Sequence, residues 1–129
     1  MNYEAARLAM VESQIRPYGV RDARILEAFA SLPRELFVGE DQKPLAYCDE
    51  AIPVAIATAG GSKERRLLPP MVLARMLQHA APRPSDRALD IGGVTGYSAA
   101  ILSRLCGEVH ALETDEGLAA EMRRRLSAC

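Results

Sequence analysis

Asp90, Gly92, Gly93 and Gly96 fall within the stretch RALDIGGVTGYSAAIL, residues 87–102. A short apolar run, a glycine turn and a helix-compatible run in that order make a strand–turn–helix. Such a turn is where backbone can approach a ligand closely. Glu113 stands 23 positions after Asp90, at the end of a second apolar run, EVHALE. An acidic side chain there accepts both hydroxyl protons of a ribose and so orients the sugar. A dinucleotide site wants G-x-G-x-x-G, so that a pyrophosphate rests on the helix N-terminus. Val94 stands where the middle glycine of that pattern would fall. S-adenosylmethionine has no pyrophosphate, and Asp90, two positions before the first glycine, lies where its positively charged amino group would go. The residues favour this second cofactor, with Asp90, Gly92, Gly93, Gly96, Tyr97 and Glu113 as the candidate binding set. The competing reading is a glycine turn that only permits close packing of helix on strand. If Val94 needs a positive φ, its β-branched side chain costs about 1–3 kcal/mol there and its methyls compete with the ligand for space.

These residues need elements to hold them. The pattern predicts a helix over about Tyr3–Arg16 with Leu8, Val11 and Ile15 on one face, ended by Pro17 and Gly19. A second helix is expected from an Asp22 N-cap to Ser31, burying Ile25, Leu26 and Phe29. RELFV reads as a short helical turn with Leu36 and Phe37 inward. From Gly39 to Leu68 the signal is weak, with a short strand around Ile52–Ile56 and a Gly60–Gly61 loop. Pro53 argues against a central sheet position there. A helix comes next over Met71–Ala80 with Leu73, Met76, Leu77 and Ala80 on one side. Strand RALDI, a helix over Tyr97–Leu105, strand EVHALE and a last helix capped by Asp115 complete the pattern. Strand, helix and strand in that order form a βαβ unit, whose two strands run parallel with a right-handed crossover.

A chain of 129 residues, 49% hydrophobic and 26% charged, suits one packed domain of ordinary size. The net charge of -1 gives no field for attracting nucleic acid or an anionic membrane, so neither is an expected partner. Fourteen of the sixteen basic residues are Arg, scattered except for Arg123–Arg125. Cys48, Cys106 and Cys129 are odd in number and widely spaced. They suggest neither a disulfide framework nor a metal site, and a reducing, cytoplasmic setting is expected. The opening MNYEAARLAMVESQIR lacks the apolar core of a signal peptide. His79 and His110 read as structural, and no catalytic residue stands out.

Taken with the N-terminal half, these residues resemble the protein-L-isoaspartate O-methyltransferase family. MVESQIRPYGVRDARILEAFASLPRELFV is similar to that family's opening helical pair and its P-R-x-x-F-V segment. AYCDEAIPV is similar to its tyrosine–acidic–L-P-I segment, LLPPMVLARML to its pre-cofactor helix, and ALDIGGVTGYSAAIL to its D-x-G-x-G-x-G-Y loop. The resemblance implies an α/β fold: an N-terminal helical portion, then the first βαβ unit of a Rossmann-like S-adenosylmethionine-dependent methyltransferase sheet, C-terminally incomplete. Residues 1–81 are expected to form the helical, substrate-side portion and 82–129 the start of the methyltransferase domain. The implied reaction moves a methyl group from S-adenosylmethionine to the carboxyl of an L-isoaspartyl residue in a damaged protein. It is an in-line displacement that needs alignment rather than a strong base, because a carboxylate is already a nucleophile.

Three departures from the family pattern keep alternatives open. Val94 replaces the middle glycine. Arg66 and Leu68 stand where the threonine and serine of the family's T-I-S-x-P would fall, and leucine donates no hydrogen bond. Arg65 or Arg66 can pair with a carboxylate instead, although loop arginines usually face water. Only the first two of the family's seven strands can be found, which leaves an apolar edge open to pairing with another chain. The alternatives are a non-catalytic module that self-associates through that edge, or a methyltransferase of the same fold acting on a different acceptor.

Overall fold

Asn2 opens helix α1 (Tyr3–Met10), its side-chain oxygen accepting the Ala5 N–H at 3.1 Å. The computed structural model describes residues 1–54 and 64–129. The predicted first helix does not run on as one α-helix: Val11–Ile15 is a π-turn and Arg16–Tyr18 a 3₁₀ turn, closed by Gly19 at φ 88°. The wider π-turn rotates the side chains beyond it relative to those of α1. Met10, Val11 and Ile15 are therefore buried, while Leu8, expected on their face, is exposed. Helix α2 (Ala23–Ser31) starts at Asp22, whose side chain accepts the Arg24 N–H at 2.9 Å, and it buries Ile25, Leu26 and Phe29 as expected.

Arg34–Phe37 is a 3₁₀ turn. Three residues per turn put positions 34 and 37 on one side. Arg34 and Phe37 are buried and Leu36 is not, which corrects the expectation that Leu36 packs inward. A further 3₁₀ stretch, Glu40–Leu45, leads to strand β1 (Ile52–Val54), which pairs antiparallel with β2 (Arg65–Leu67). Pro53 sits opposite Arg66 in this two-stranded ribbon, where each strand is an edge and a missing N–H is tolerated. The remainder of the expected strand, to Ile56, and the Gly60–Gly61 loop lie outside the described residues.

Helix α3 (Pro70–Ala80) buries Leu73, Ala74 and Leu77; Met76 and Ala80, expected on the same side, are exposed. With Pro70 also buried, the stripe takes the i, i+3, i+4 and i+7 positions, and Met76 and Ala80 fall to one side of it. Gln78 clips this helix to the first unit. Its side-chain oxygen accepts the Arg21 and Asp22 N–H groups at 2.6 and 3.2 Å, and its amide donates to the Gly19 carbonyl at 2.6 Å.

Strand β3 (Arg87–Ile91), helix α4 (Tyr97–Ser103) and strand β4 (Glu108–Leu112) form the expected βαβ unit, and α5 (Glu116–Leu126) comes after it. The strands are parallel, with Leu89 opposite His110 and Ile91 opposite Leu112. Asp115 caps α5 by accepting the Leu118 N–H at 2.9 Å. Tyr97, Ala100, Ile101 and Leu105 point inward, as the spacing predicts, and join α1–α3 in one hydrophobic core. The opposite face of the β3–β4 pair is open: Leu89, Ile91 and Leu112 are 61%, 68% and 50% exposed. Among the described residues no helix is long and apolar enough to cross a membrane.

Candidate cofactor site

The turn after β3 is fixed from both sides. The Gly92 N–H donates to the Leu112 carbonyl at 2.8 Å, which carries the strand pairing one residue into the turn. The buried Thr95 hydroxyl donates to the Phe37 carbonyl at 2.8 Å, tying the turn to the N-terminal helices. Gly93 lies so close to Asp90 that a Cβ there would come within 2.6 Å of a carboxylate oxygen, so any larger residue would have to push that carboxylate aside. Gly96 has φ 99° and faces α5, where a Cβ would meet Leu126 and Met122 at 3.0 Å.

Val94 does adopt the left-handed conformation, with φ 56°. Its side chain is buried and belongs to the main core as well as to the wall of an adjoining cavity. The strain, about 1–3 kcal/mol for such a residue, is held in place by burial and by the bond that the strained peptide makes. The Val94 N–H points at Glu113 and donates to Oε2 at 3.2 Å. The loop closing β3 and the carboxylate tipping β4 therefore converge.

The cavity, of about 220 Å³, opens beside this turn. Asp90, Gly92, Gly93, Val94, Tyr97 and Ser98 line one side; Arg66, Leu67 and Leu68 of the hairpin and Leu73 and Met76 of α3 line the other. One Asp90 oxygen accepts the Ser98 hydroxyl at 2.6 Å. Neither Glu113 nor Gly96 lines the cavity.

Glu113 is instead covered by Arg65. The guanidinium grips it bidentately, Nη1 to Oε1 and Nη2 to Oε2, both at 2.9 Å, and Nη2 also reaches the Gly92 carbonyl at 3.3 Å. Thr114 N–H donates to Oε1 at 3.0 Å. The Glu113 side chain is 1% exposed and that of Arg65 31%. Burial alone would raise the Glu113 pKa. The Arg65 guanidinium and the Val94 and Asp115 N–H groups outweigh it and hold the carboxyl below its ordinary value of 4.5.

Behind the cavity lies a buried cation. Arg34 is fully buried, with its guanidinium carbon 4.7 Å from the centre of the Tyr97 ring, and its Nη2 donates to the Leu68 carbonyl at 2.9 Å. Its Nε and Nη1 and the Tyr97 hydroxyl have no hydrogen-bond partner among the described residues. Burial lowers the Arg34 pKa and pushes the Tyr97 phenol up to about 12. The Tyr97 ring packs edge-on against Phe29 and Phe37, so this residue serves the core and the cavity wall together.

Of the six residues that the sequence singles out, Asp90, Gly92, Gly93 and Tyr97 share the cavity, Glu113 adjoins it beneath Arg65, and Gly96 turns to α5. Sequence reasoning misses three members of the site: Ser98, Arg34 and, as the Glu113 partner, Arg65. Arg34 and Ser98 sit inside recognisable motifs, but nothing in their spacing signals a buried charge or a bond to Asp90. Arg65 and Arg66, the alternatives for pairing with an acceptor carboxylate, are both engaged within the chain: Arg65 by Glu113 and Arg66 by Glu64.

The parallel βαβ unit, with a cavity beside the turn after its first strand, is the architecture of the Rossmann-like methyltransferases at its beginning. A family profile for protein-L-isoaspartate(D-aspartate) O-methyltransferase matches residues 6–129, and the chain belongs to that family. It is 39% identical over 117 residues to protein-L-isoaspartate O-methyltransferase 2 of Anaeromyxobacter sp. (strain Fw109-5), covering 91% of this chain and 45% of that one. To the protein-L-isoaspartate O-methyltransferase of Koribacter versatilis (strain Ellin345) it is 38% identical over 120 residues, covering 93% and 51%. The chain thus spans about half the length of these curated relatives. Among solved structures, one protein-L-isoaspartate O-methyltransferase superposes with a TM-score of 0.78 at 24% identity, over 97% of this chain and 38% of that one. A putative protein-L-isoaspartate O-methyltransferase from Plasmodium falciparum, crystallised with S-adenosyl-L-homocysteine, superposes with a TM-score of 0.71 at 18% identity, over 95% and 55%. At these identities the structural matches speak for the fold.

Proposed function

We propose that this chain carries the cofactor side of a protein carboxyl methyltransferase, binding S-adenosylmethionine between the β3 turn and Glu113 for transfer of its methyl to the carboxyl of L-isoaspartyl residues. Family membership supports the reaction class. The observation that carries the site is the Val94 N–H bond to Glu113, which brings the glycine turn and the second strand tip to one place beside a cavity. Asp90, Gly92 and Gly93 would hold the amino-acid end of the cofactor and Glu113 its ribose. Gly96 fixes the start of α4, and Tyr97 supports the wall.

Bound there, the cofactor supplies an electrophilic methyl on a sulfonium. The chain's own work is alignment. Asp90 offers its carboxylate to an ammonium group, with Ser98 holding one oxygen in place. Leu67, Leu68 and Leu73 give the cavity an apolar wall, which would limit water around a bound cofactor. The acceptor carboxylate needs no base, so no proton relay is required.

We assign residues 1–81 to the acceptor side and 82–129 to the cofactor side, since the hairpin and α3 line the cavity wall opposite the turn. The three unpaired cysteines support a reducing, cytoplasmic setting. A different methyl acceptor is the second reading. It is favoured by Leu68, which lines the cavity where a hydrogen-bond donor to an isoaspartyl carboxylate is expected. Self-association is the third, favoured by the open face of β3 and β4.

Titration calorimetry with S-adenosyl-L-homocysteine tests the cofactor reading: saturable binding is expected, at least tenfold weaker in Glu113→Ala, roughly the loss of a charge-assisted bidentate contact. Absence of binding at high protein concentration rejects it. Methyl transfer to an isoaspartyl peptide, compared with glutamyl and C-terminal carboxyl acceptors, separates the first two readings.

A further inference from the structure

We infer that Arg65 is an internal occupant of the ribose subsite, so that a ribose diol binds Glu113 only after the guanidinium has left it. The inference rests on the reading of Glu113 as the ribose-holding carboxylate. An ionised carboxylate has about four lone-pair positions. On Glu113 all are taken: Oε1 accepts from Arg65 Nη1 and the Thr114 N–H, with the Asp115 N–H also at 3.5 Å, and Oε2 from Arg65 Nη2 and the Val94 N–H. The three backbone donors are fixed by the turn and by the exit from β4. Among the described residues, the donors that can yield to a pair of hydroxyls are the two on Arg65.

Arg65 is suited to yield. It is the more exposed partner, at 31% against 1% for Glu113, and it arrives from β2, 48 positions earlier in the chain. That same strand ends at Leu67, and Leu67 and the next residue, Leu68, line the cavity. Apparent affinity for the cofactor is then the intrinsic affinity reduced by the fraction of molecules in which Arg65 is off Glu113. Removing Arg65 strengthens binding, although it deletes a salt bridge from the folded protein. A merely structural role predicts the opposite sign.

The experiment is calorimetric titration of the whole chain with S-adenosyl-L-homocysteine and with 2′,3′-dideoxyadenosine, for wild type, Arg65→Gln and Glu113→Gln. Arg65→Gln is expected to bind S-adenosyl-L-homocysteine about tenfold more tightly, to show no such gain for the dideoxy ligand, and Glu113→Gln to bind more weakly. If Glu113→Gln weakens binding while Arg65→Gln leaves it unchanged or weaker, the inference is overturned and the site reading stands. If Glu113→Gln has no effect, or neither wild type nor Arg65→Gln binds, both fall together. Should circular dichroism show Arg65→Gln unfolded, Arg65→Lys keeps the charge without the fork. A gain of severalfold supports the inference, and an unchanged or reduced affinity overturns it.

Discussion

The two faces of the β3–β4 pair differ sharply. One is closed by α4, whose Tyr97, Ala100 and Ile101 run into the core shared with α1, α2 and α3. The other presents Leu89, Ile91 and Leu112 to solvent. Parallel strands normally have both faces covered and read as near-continuous apolar runs. Leu89, Ile91 and Leu112 supply apolar side chains for the second face, but only the α4 side is filled by the residues described. Stability is therefore concentrated on one side of the sheet, and the site lies at the strand tips between the two.

Mutations that probe each face should separate widely. Phe37→Ala, on the closed side, is expected to cost about 3–5 kcal/mol of unfolding free energy in urea, the usual range for a large aromatic in a packed core. Next comes the turn at the boundary. Because Val94 has φ 56°, Val94→Gly should be more stable than Val94→Ala by about 1 kcal/mol, reversing the ordinary preference for alanine. Thermal melts of the two variants decide the sign. At the start of α5, Asp115→Ala removes the acceptor of the Leu118 N–H and should cost about 1 kcal/mol in the same urea assay.

Acid should act on the strand tip. Glu113 has a folded pKa below its ordinary value, so its contribution is full above that ordinary value and is lost as pH falls through the lower, folded one. Unfolding free energy should accordingly fall as the pH drops below that ordinary value of 4.5, and fall less in Glu113→Gln. The smallest effect belongs to the open face: Leu89→Ser should change monomer stability by no more than about 0.5 kcal/mol. If the wild type dimerises in sedimentation experiments, this change should weaken the dimer. A cost equal to that of Phe37→Ala would abolish the contrast between the faces.

Much of this is legible in the chain. Asp22 and Asp115 mark helix starts because a short carboxylate before an apolar stripe has few other local uses, and both cap as expected. Asp90, Gly93 and Glu113 can be placed near one another because a right-handed βαβ crossover forces adjacent strand tips together. Leu8, Leu36, Met76 and Ala80 depart from their expected burial for a geometric reason: ideal 3.6-residue periodicity fails across a π-turn and a 3₁₀ turn, and the α3 stripe runs through Pro70, Leu73, Ala74 and Leu77, leaving Met76 and Ala80 to one side. Arg34 and Arg65 are harder to read. An arginine in sequence carries no mark of whether its charge will be buried over a tyrosine ring or fork onto a carboxylate 48 positions away.

Arg34 has one practical consequence. A guanidinium sealed from water beneath an aromatic ring exchanges its Nε proton slowly and feels that ring's magnetic anisotropy. Its resonance should stand apart from those of the other thirteen arginines. Since the ring's other role is to wall the cavity, a nitrogen–proton correlation spectrum of this single signal would report entry of a small molecule from behind, without any label on the molecule itself.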